Sequence, residues 1–173
     1  MVNSLKQLWG KEEDIKLTEY LNLLEYPKTG IYKCRIVYDH QSKVVEFLPY
    51  TFKAITSLKL VVDDTILYDH KYADRSRINQ LMGKKEHCDD ILIVKQGWVT
   101  DASYANIVFM REGCWYTPKR CLLKGTMRER LLQSGTIIEE EITISDIVNF
   151  EKFKLINAML GFEGQECDIS HIY

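Results

Sequence analysis

The spacing of hydrophobic residues changes near Pro27. Before it, apolar side chains recur at near-helical intervals and predict a helix. These side chains are Ile15, Leu17, Tyr20, Leu21 and Leu24. After Pro27, residues 30–39 alternate apolar with polar side chains, and 43–52 are rich in β-branched and aromatic residues. Both segments are therefore predicted to be strands.

The pattern from residue 57 predicts a strand over 57–66 and then a short helix. Ile78, Leu81 and Met82 share one face of this helix, Asp74 or Ser76 is its expected N-cap, and Gly83 ends it. Two successive hairpins follow, over 90–101 and 106–118. Each is expected to turn through a glycine.

The remaining segments predict further short elements. A helix opens at 125–128 with Met127, Leu131 and Leu132 on one face, and 136–144 reads as a strand. Ser145 is the expected N-cap of a helix that begins with Asp146. Residues 153–160 read as a strand or strand end. The predicted class is α+β (mixed α/β), with a small lobe over 1–55 and a larger one over 56–173.

Composition narrows the function classes. The chain has 173 residues and a formal net charge of −2, so it offers no general attraction to nucleic acid or anionic lipid. No apolar run approaches membrane-spanning length and no signal peptide is visible, so a cytoplasmic location is expected. The five cysteines are odd in number and form no C-x-x-C pair. We therefore expect neither disulfides nor a metal site, with all five thiols in or near the core.

Three features suggest chemistry, although each has a simpler explanation. Lys71 follows a strand and would be a nucleophile if an apolar pocket held it, but most lysines are solvated surface charges. Asp101 ends an apolar strand and either braces a turn or faces a cationic ring nitrogen. The helix start at 125–128 offers N–H groups to a phosphate, as every helix start does. Together these are the fixtures of a pyridoxal phosphate pocket.

Four segments in order resemble the class IV aminotransferase (fold-type IV) family of pyridoxal phosphate enzymes. The sequence "HKYADR" is similar to the segment that carries the family's Schiff-base lysine, which puts that role on Lys71. "GWVTDASYANIVF" resembles the V-T-E-x-x-x-x-N-x-F motif, with Asp101 where glutamate is usual. "WYTP" matches a T-P turn, and "LKGTMR" matches a G-x-x-R helix start.

The resemblance implies a two-lobed fold and a set of site residues. Asp101 would accept a hydrogen bond from the protonated cofactor ring. Phosphate contacts would come from the N–H groups of Ala102, Ser103, Thr126 and Met127, with Asn157 as a further donor. Arg35 and Tyr38 are weaker candidates for substrate binding, and an ion pair is the simpler explanation for Arg35.

Within the family, three details favour the aminodeoxychorismate lyases. They are the form of the motif, "GWVTD…AN", Met127 in place of threonine, and "INAM" at 156–159. The implied reaction converts 4-amino-4-deoxychorismate to 4-aminobenzoate and pyruvate, in folate synthesis. A transaminase acting on branched-chain or D-amino acids stays open, and so does a non-catalytic member. The family implies a small-molecule amino substrate and a homodimer, with no nucleic-acid or membrane partner.

The N-terminus departs from the family pattern. Members usually begin with a strand pair and an H-x-x-R segment whose arginine contacts the cofactor phosphate, whereas Arg35 is the first arginine here. Either the chain is a shortened member or its start has been placed too late. One missing charge-assisted contact, worth about 1.5–3 kcal/mol, predicts weaker cofactor binding.

Overall fold

The computed structural model describes residues 1–12 and 16–173. The chain divides into two compact units, Met1–Phe52 and Lys53–Tyr173. The described elements are mostly strands with some short helices, which confirms the predicted α+β class.

The described residues of the first unit form two helices and a hairpin. Helix α1 (Val2–Trp9) was not expected from the sequence. Helix α2 (Leu17–Asn22) confirms the predicted helix but ends before Leu24, and Ile15 lies outside the described residues. Strands β1 (Tyr32–Tyr38) and β2 (Lys43–Pro49) pair antiparallel, as their alternating and β-branched composition predicts.

The second unit begins with a three-stranded sheet. Strands β3 (Leu58–Val62) and β4 (Asp90–Lys95) run parallel and are connected through α3 (Ser76–Met82), while β5 (Trp98–Ala102) returns antiparallel to β4. Helix α3 packs its buried Ile78 and Leu81 on the sheet. The sheet places the C-terminal end of β5 beside the start of β4.

A five-stranded sheet completes the unit, in the order β10-β9-β6-β7-β8. Its strands are β6 (Asn106–Arg111), β7 (Cys114–Pro118), β8 (Ile138–Glu140), β9 (Lys152–Ile156) and β10 (Cys167–Asp168). Helix α4 (Thr126–Gln133) lies between β7 and β8 in the chain. Two 3-10 helices span Ile144–Asn149 and Ile169–His171.

Both predicted hairpins are confirmed, and each turns through a residue pair with positive φ. Gln96 and Gly97 have φ of 53° and 79°, and Glu112 and Gly113 have φ of 52° and 76°. Positive φ at both turn positions matches the right-handed twist of the strands, and glycine adopts it at little steric cost.

Residues of both sheets share the main core. Leu92 and Val99 from the first sheet cluster with Ile107, Phe109 and Phe153 from the second, and all five are fully buried. A second cluster lies under α4, where Met127 and Leu131 pack with Val108 and Ile156. The strand ends that carry the candidate site are therefore held by packing on both sides.

The predicted helix caps were wrong in both cases. The N-cap of α3 is Arg75, because the Asp74 carboxylate accepts the N–H of Ser76 from outside the helix. The helix at 144–149 is capped by Thr143, which forms a capping box with Asp146, so Ser145 lies within the first turn.

Three other expectations need correction. The strand predicted over 136–144 has only three residues, Ile138–Glu140, and Thr117 and Pro118 end β7 instead of forming a turn. The cysteines are free, as expected, but Cys34 and Cys114 are exposed. Both occupy outward positions on strands, where apolar composition alone does not specify the face.

Candidate active site

Asp101 is a buried carboxylate at the end of β5. It is 5% exposed, accepts a hydrogen bond from Asn106 Nδ2 at 2.7 Å, and accepts another from the N–H of Leu123 at 2.9 Å. Among the described residues, Asp101 has no ion-pair partner. Burying a charge without one is unfavourable, so such groups concentrate where a ligand supplies the opposite charge.

The environment raises the pKa of Asp101. Burial is the largest effect and raises this pKa to about 6. Hydrogen bonds from Leu123, Asn106 and Leu122 and the positive charge of Arg128 act in the opposite direction and lower it. Asp101 is therefore mostly ionised at neutral pH. A carboxylate has about four acceptor positions, and these donors leave room for one more hydrogen bond.

Asn106 joins Asp101 to the segment before α4. Its Nδ2 donates to Asp101 and also to the Leu123 carbonyl at 2.8 Å. Its Oδ1 lies so close to Gly125 that a Cβ built there would collide with it. Gly125 is the N-cap of α4, so the close approach of Asn106 requires a glycine at the helix start.

The start of α4 therefore lies next to Asp101. No described side chain caps this helix, and the first-turn N–H groups of Thr126 and Met127 have no partner inside the helix. Thr126 is exposed, whereas the Met127 side chain packs in the core. The helix dipole also favours an anion at this position.

Arg128 anchors the same helix from within the protein. It is 1% exposed and donates to the Pro118 carbonyl at 2.9 Å and to Glu139 at 2.6 Å. These contacts fix the first turn of α4 to the ends of β7 and β8.

The turn after β5 is closed by its own residues. The N–H of Ala102 donates to the Ala105 carbonyl at 3.0 Å, and the Ser103 hydroxyl donates to Asp90 at 3.0 Å. Asp90 is 1% exposed, and burial raises its pKa. Both groups donate to protein atoms in this structure. The contact with a cofactor phosphate that is expected of Ala102 and Ser103 stays a prediction.

Asn157 lies close to this turn. It directly follows Ile156, which pairs with Asn106 across β9 and β6. Its Oδ1 accepts the N–H groups of Met159 and Leu160, at 2.8 and 2.9 Å. The oxygen thus stabilises a local turn, and the expected contact with a phosphate is untested.

Lys71 lies in the connection between β3 and α3 and is exposed, so it is not enclosed in an apolar pocket. It is the middle residue of a tight turn in which the Tyr72 N–H donates to the His70 carbonyl at 2.8 Å. The connection is joined to the turn after Asp101 by Arg75, whose Nη2 donates to the Ser103 carbonyl at 2.6 Å.

The two weaker substrate candidates belong to the first unit. Arg35 forms an ion pair with Glu46 at 2.6 Å, opposite it in the β1–β2 register. Tyr38 pairs with Lys43 at the turn of the same hairpin. The simpler explanation of Arg35 as an ion-pair residue agrees with this geometry, and substrate contact by either residue stays a prediction.

Comparison with known proteins identifies the family. A family model described as amino-transferase class IV matches residues 39–163. The chain belongs to the class IV amino-transferases. The match includes the Lys71 connection, the Asp101 strand end and the start of α4.

Two similar proteins cover most of the chain. An uncharacterised Haemophilus influenzae protein is 40% identical over 161 residues, covering 91% of this chain and 85% of the relative. The crystal structure of a "putative 4-amino-4-deoxychorismate lyase" from Haemophilus somnus 129pt has a TM-score of 0.85 and 37% identity, covering 92% of this chain and 85% of that one.

More distant structures share the fold. A hypothetical aminotransferase from Mycobacterium tuberculosis, solved in its PLP-bound form, has a TM-score of 0.55 at 14% identity, covering 68% of this chain and 48% of that one. Among the described residues, no helix has the length and hydropathy to cross a membrane, and no cluster of three potential metal ligands is present.

Sequence reasoning missed several residues that shape the site. Asn106, Arg75 and Gly125 entered only as members of motifs, and Asp90 was given no role in the site. Two signals were available: a second acid in a fully apolar strand, and a glycine directly before a helix. Their partners lie 13 to 28 residues away, so no local pattern connects them.

Proposed function

We propose that this protein is a pyridoxal phosphate-dependent lyase that releases pyruvate from 4-amino-4-deoxychorismate and leaves 4-aminobenzoate. The observation that carries the proposal is the buried Asp101 carboxylate, which lacks an ion-pair partner among the described residues and lies beside the uncapped start of α4. The similarity to the Haemophilus somnus protein supports the choice of substrate.

The residues present fit this cofactor. Asp101 offers an anionic acceptor for a protonated ring nitrogen, and the first-turn N–H groups of α4 offer donors for a phosphate. When bound, pyridoxal phosphate supplies an electron sink for the carbanion that forms at the carbon bearing the substrate's amino group. Asp101 would maintain that sink by holding the ring nitrogen in its charged form.

Lys71 has two proposed roles. Its amine would hold the cofactor between turnovers. During the reaction, Lys71 would remove the proton from the substrate carbon that bears the amino group. It then returns a proton to the departing enolpyruvate, which becomes pyruvate as the substrate ring becomes aromatic. The exposed position of Lys71 suits an amine that must exchange with an incoming substrate.

The test is product formation from 4-amino-4-deoxychorismate with added pyridoxal phosphate. Pyruvate is measured through lactate dehydrogenase and 4-aminobenzoate by its fluorescence after chromatography. We expect equal amounts of both products when no keto acid is added as an amino acceptor. The Lys71→Ala variant should form neither product. The control is Lys84→Ala, which removes an exposed lysine of the turn after α3.

Two outcomes would contradict the proposal. Amino transfer to a keto acid without pyruvate release would identify a transaminase. Absence of a protein-bound absorption band, after unbound cofactor has been removed, would indicate a non-catalytic family member. Substrate binding by Arg35 and Tyr38 and the formation of a homodimer are separate proposals that this assay does not address. Substrate affinity of Arg35→Ala and Tyr38→Phe, and sedimentation of the wild-type protein, would test them.

A further inference from the structure

Arg75 connects the two segments that carry the proposed catalytic groups. It lies four residues after Lys71, at the N-cap of α3, and its Nη2 donates to the Ser103 carbonyl at 2.6 Å. Ser103 lies two residues after Asp101. A charged donor at this distance makes a strong hydrogen bond. The bond therefore fixes the lysine connection to the strand end that carries the acid.

The acceptor side of this bond is rigid. The Ser103 hydroxyl donates to Asp90, which belongs to the fully buried start of β4, and the Ala102 N–H closes the turn on Ala105. Ser103 therefore cannot follow a displacement of Arg75 without breaking a buried hydrogen bond. Any movement permitted by losing the Arg75 contact would fall on the connection that contains Lys71.

The donor side leaves one polar group of Arg75 unsatisfied. Arg75 Nε is buried and has no hydrogen-bond partner among the described residues. Buried polar atoms without partners are rare and unfavourable to stability. Arg128 Nε, in the arginine that anchors α4, is buried in the same way, so what distinguishes Arg75 is the hydrogen bond from its guanidinium to the Ser103 carbonyl.

The connection around Lys71 is organised by local hydrogen bonds. The Tyr72 N–H closes the turn around Lys71, and the Tyr68 hydroxyl donates to the Tyr72 carbonyl at 3.2 Å. These contacts give the turn its shape. The Arg75 hydrogen bond attaches this connection to the turn after β5.

We propose that Arg75 is a positioning residue that sets the location of the Lys71 amine relative to the Asp101 carboxylate. This inference rests on the proposed function, since it concerns the same two groups. Arg75 would act through the backbone of Ser103, without contact with substrate. Its removal should therefore affect the reactivity of Lys71 more than the affinity for cofactor.

The experiment measures how fast Lys71 captures pyridoxal phosphate, by borohydride reduction at timed intervals and peptide mass spectrometry. The variants are Arg75→Met, Arg75→Lys and the control Arg77→Met. Arg77 lies two residues further along α3, but it donates to Asp63 at 2.7 Å instead of to the turn. Its loss leaves a buried carboxylate unpaired, so this control destabilises α3 without touching the attachment.

We expect Arg75→Met to slow capture about tenfold, because small misplacement of a reacting group has effects of that size or larger. The equilibrium dissociation constant of the cofactor should change by less than about threefold, since the phosphate and ring contacts remain. Arg75→Lys should recover part of the rate, because it restores one charged donor. Arg77→Met should lower the thermal midpoint and capture cofactor at the wild-type rate.

The outcomes separate this inference from the proposed function. Equal capture rates for wild type and Arg75→Met, or equal slowing by Arg77→Met, would overturn the inference and leave the lyase proposal intact. Normal capture by wild-type Lys71 without pyruvate release would contradict the lyase proposal and leave the role of Arg75 intact. No capture on wild-type Lys71 would overturn both.

Discussion

The buried Asp101 carboxylate should make the stability of the cofactor-free protein depend on pH in an unusual direction. Burial raises its pKa from the ordinary value of 3.8 to about 6, so the native state binds a proton that the unfolded state releases. Between these two values the folded protein holds more protons than the unfolded chain. The free energy of unfolding therefore falls as pH rises through this window and becomes constant above it.

The magnitude follows from the size of the pKa shift. One pKa unit corresponds to about 1.4 kcal/mol, so the whole shift corresponds to roughly 3 kcal/mol. Between about pH 4.5 and about pH 7, the Asp101 contribution should fall by about 2 kcal/mol. Asp101→Asn removes the titrating group, so the free-energy difference between wild type and this variant should change by the same amount.

Urea unfolding at a series of pH values, followed by circular dichroism, measures this difference. Asp90 also has a pKa raised by burial, but it is present in both proteins and its contribution cancels in the comparison. Asp146→Asn is the matched control. Hydrogen bonds from Thr143 lower the pKa of Asp146, so its contribution arises at lower pH and should be constant over this range.

Parallel stability curves for wild type and Asp101→Asn would contradict this prediction. They would mean that the Asp101 carboxylate has the same pKa in the folded and the unfolded protein. A wild-type protein that gains stability over Asp101→Asn as pH rises would contradict it more strongly. That result would indicate a cationic partner beside Asp101 even without cofactor.

Three further predictions concern stability and thiol reactivity. Gly125→Ala should lower the free energy of unfolding by about 1–3 kcal/mol in urea titrations, because its Cβ would collide with a buried side chain. Gly164→Ala, whose Cβ would make ordinary contacts, should change it little. Arg128→Met should cost about 2 kcal/mol in the same assay, since a buried guanidinium and two hydrogen bonds are lost. Cys34 and Cys114 should react with a thiol reagent before the other three cysteines, because they alone are exposed among the five. Wild-type stability of Gly125→Ala or Arg128→Met would contradict the first two expectations. Equal reactivity of all five thiols would contradict the third.

The sequence predicted the strand pairs well because their signals are local. Apolar runs on both sides of a glycine turn, over 90–101 and 106–118, specify a hairpin without knowledge of the rest of the chain. Helix starts were predicted less well. Thr143 and Ser145 are both good capping residues, and only the capping box with Asp146 distinguishes them.

The candidate site was predicted only in part, because its geometry depends on contacts between distant segments. The acid at position 101 was identified from its place at the end of an apolar strand and from family resemblance. Its hydrogen bond to Leu123 spans 22 residues, and the bond from Arg75 to Ser103 spans 28. Such contacts leave no periodic pattern, so no sequence argument could place them.

The measurement that tests the central claim most directly is the site of cofactor attachment. The purified protein is incubated with pyridoxal phosphate, reduced with borohydride and digested, and the modified peptide is identified by mass spectrometry. We expect modification at Lys71, its loss in Lys71→Ala, and weaker cofactor binding in Asp101→Asn. Modification at another lysine, or equal cofactor binding by Asp101→Asn and wild type, would contradict a cofactor site formed by Lys71 and Asp101.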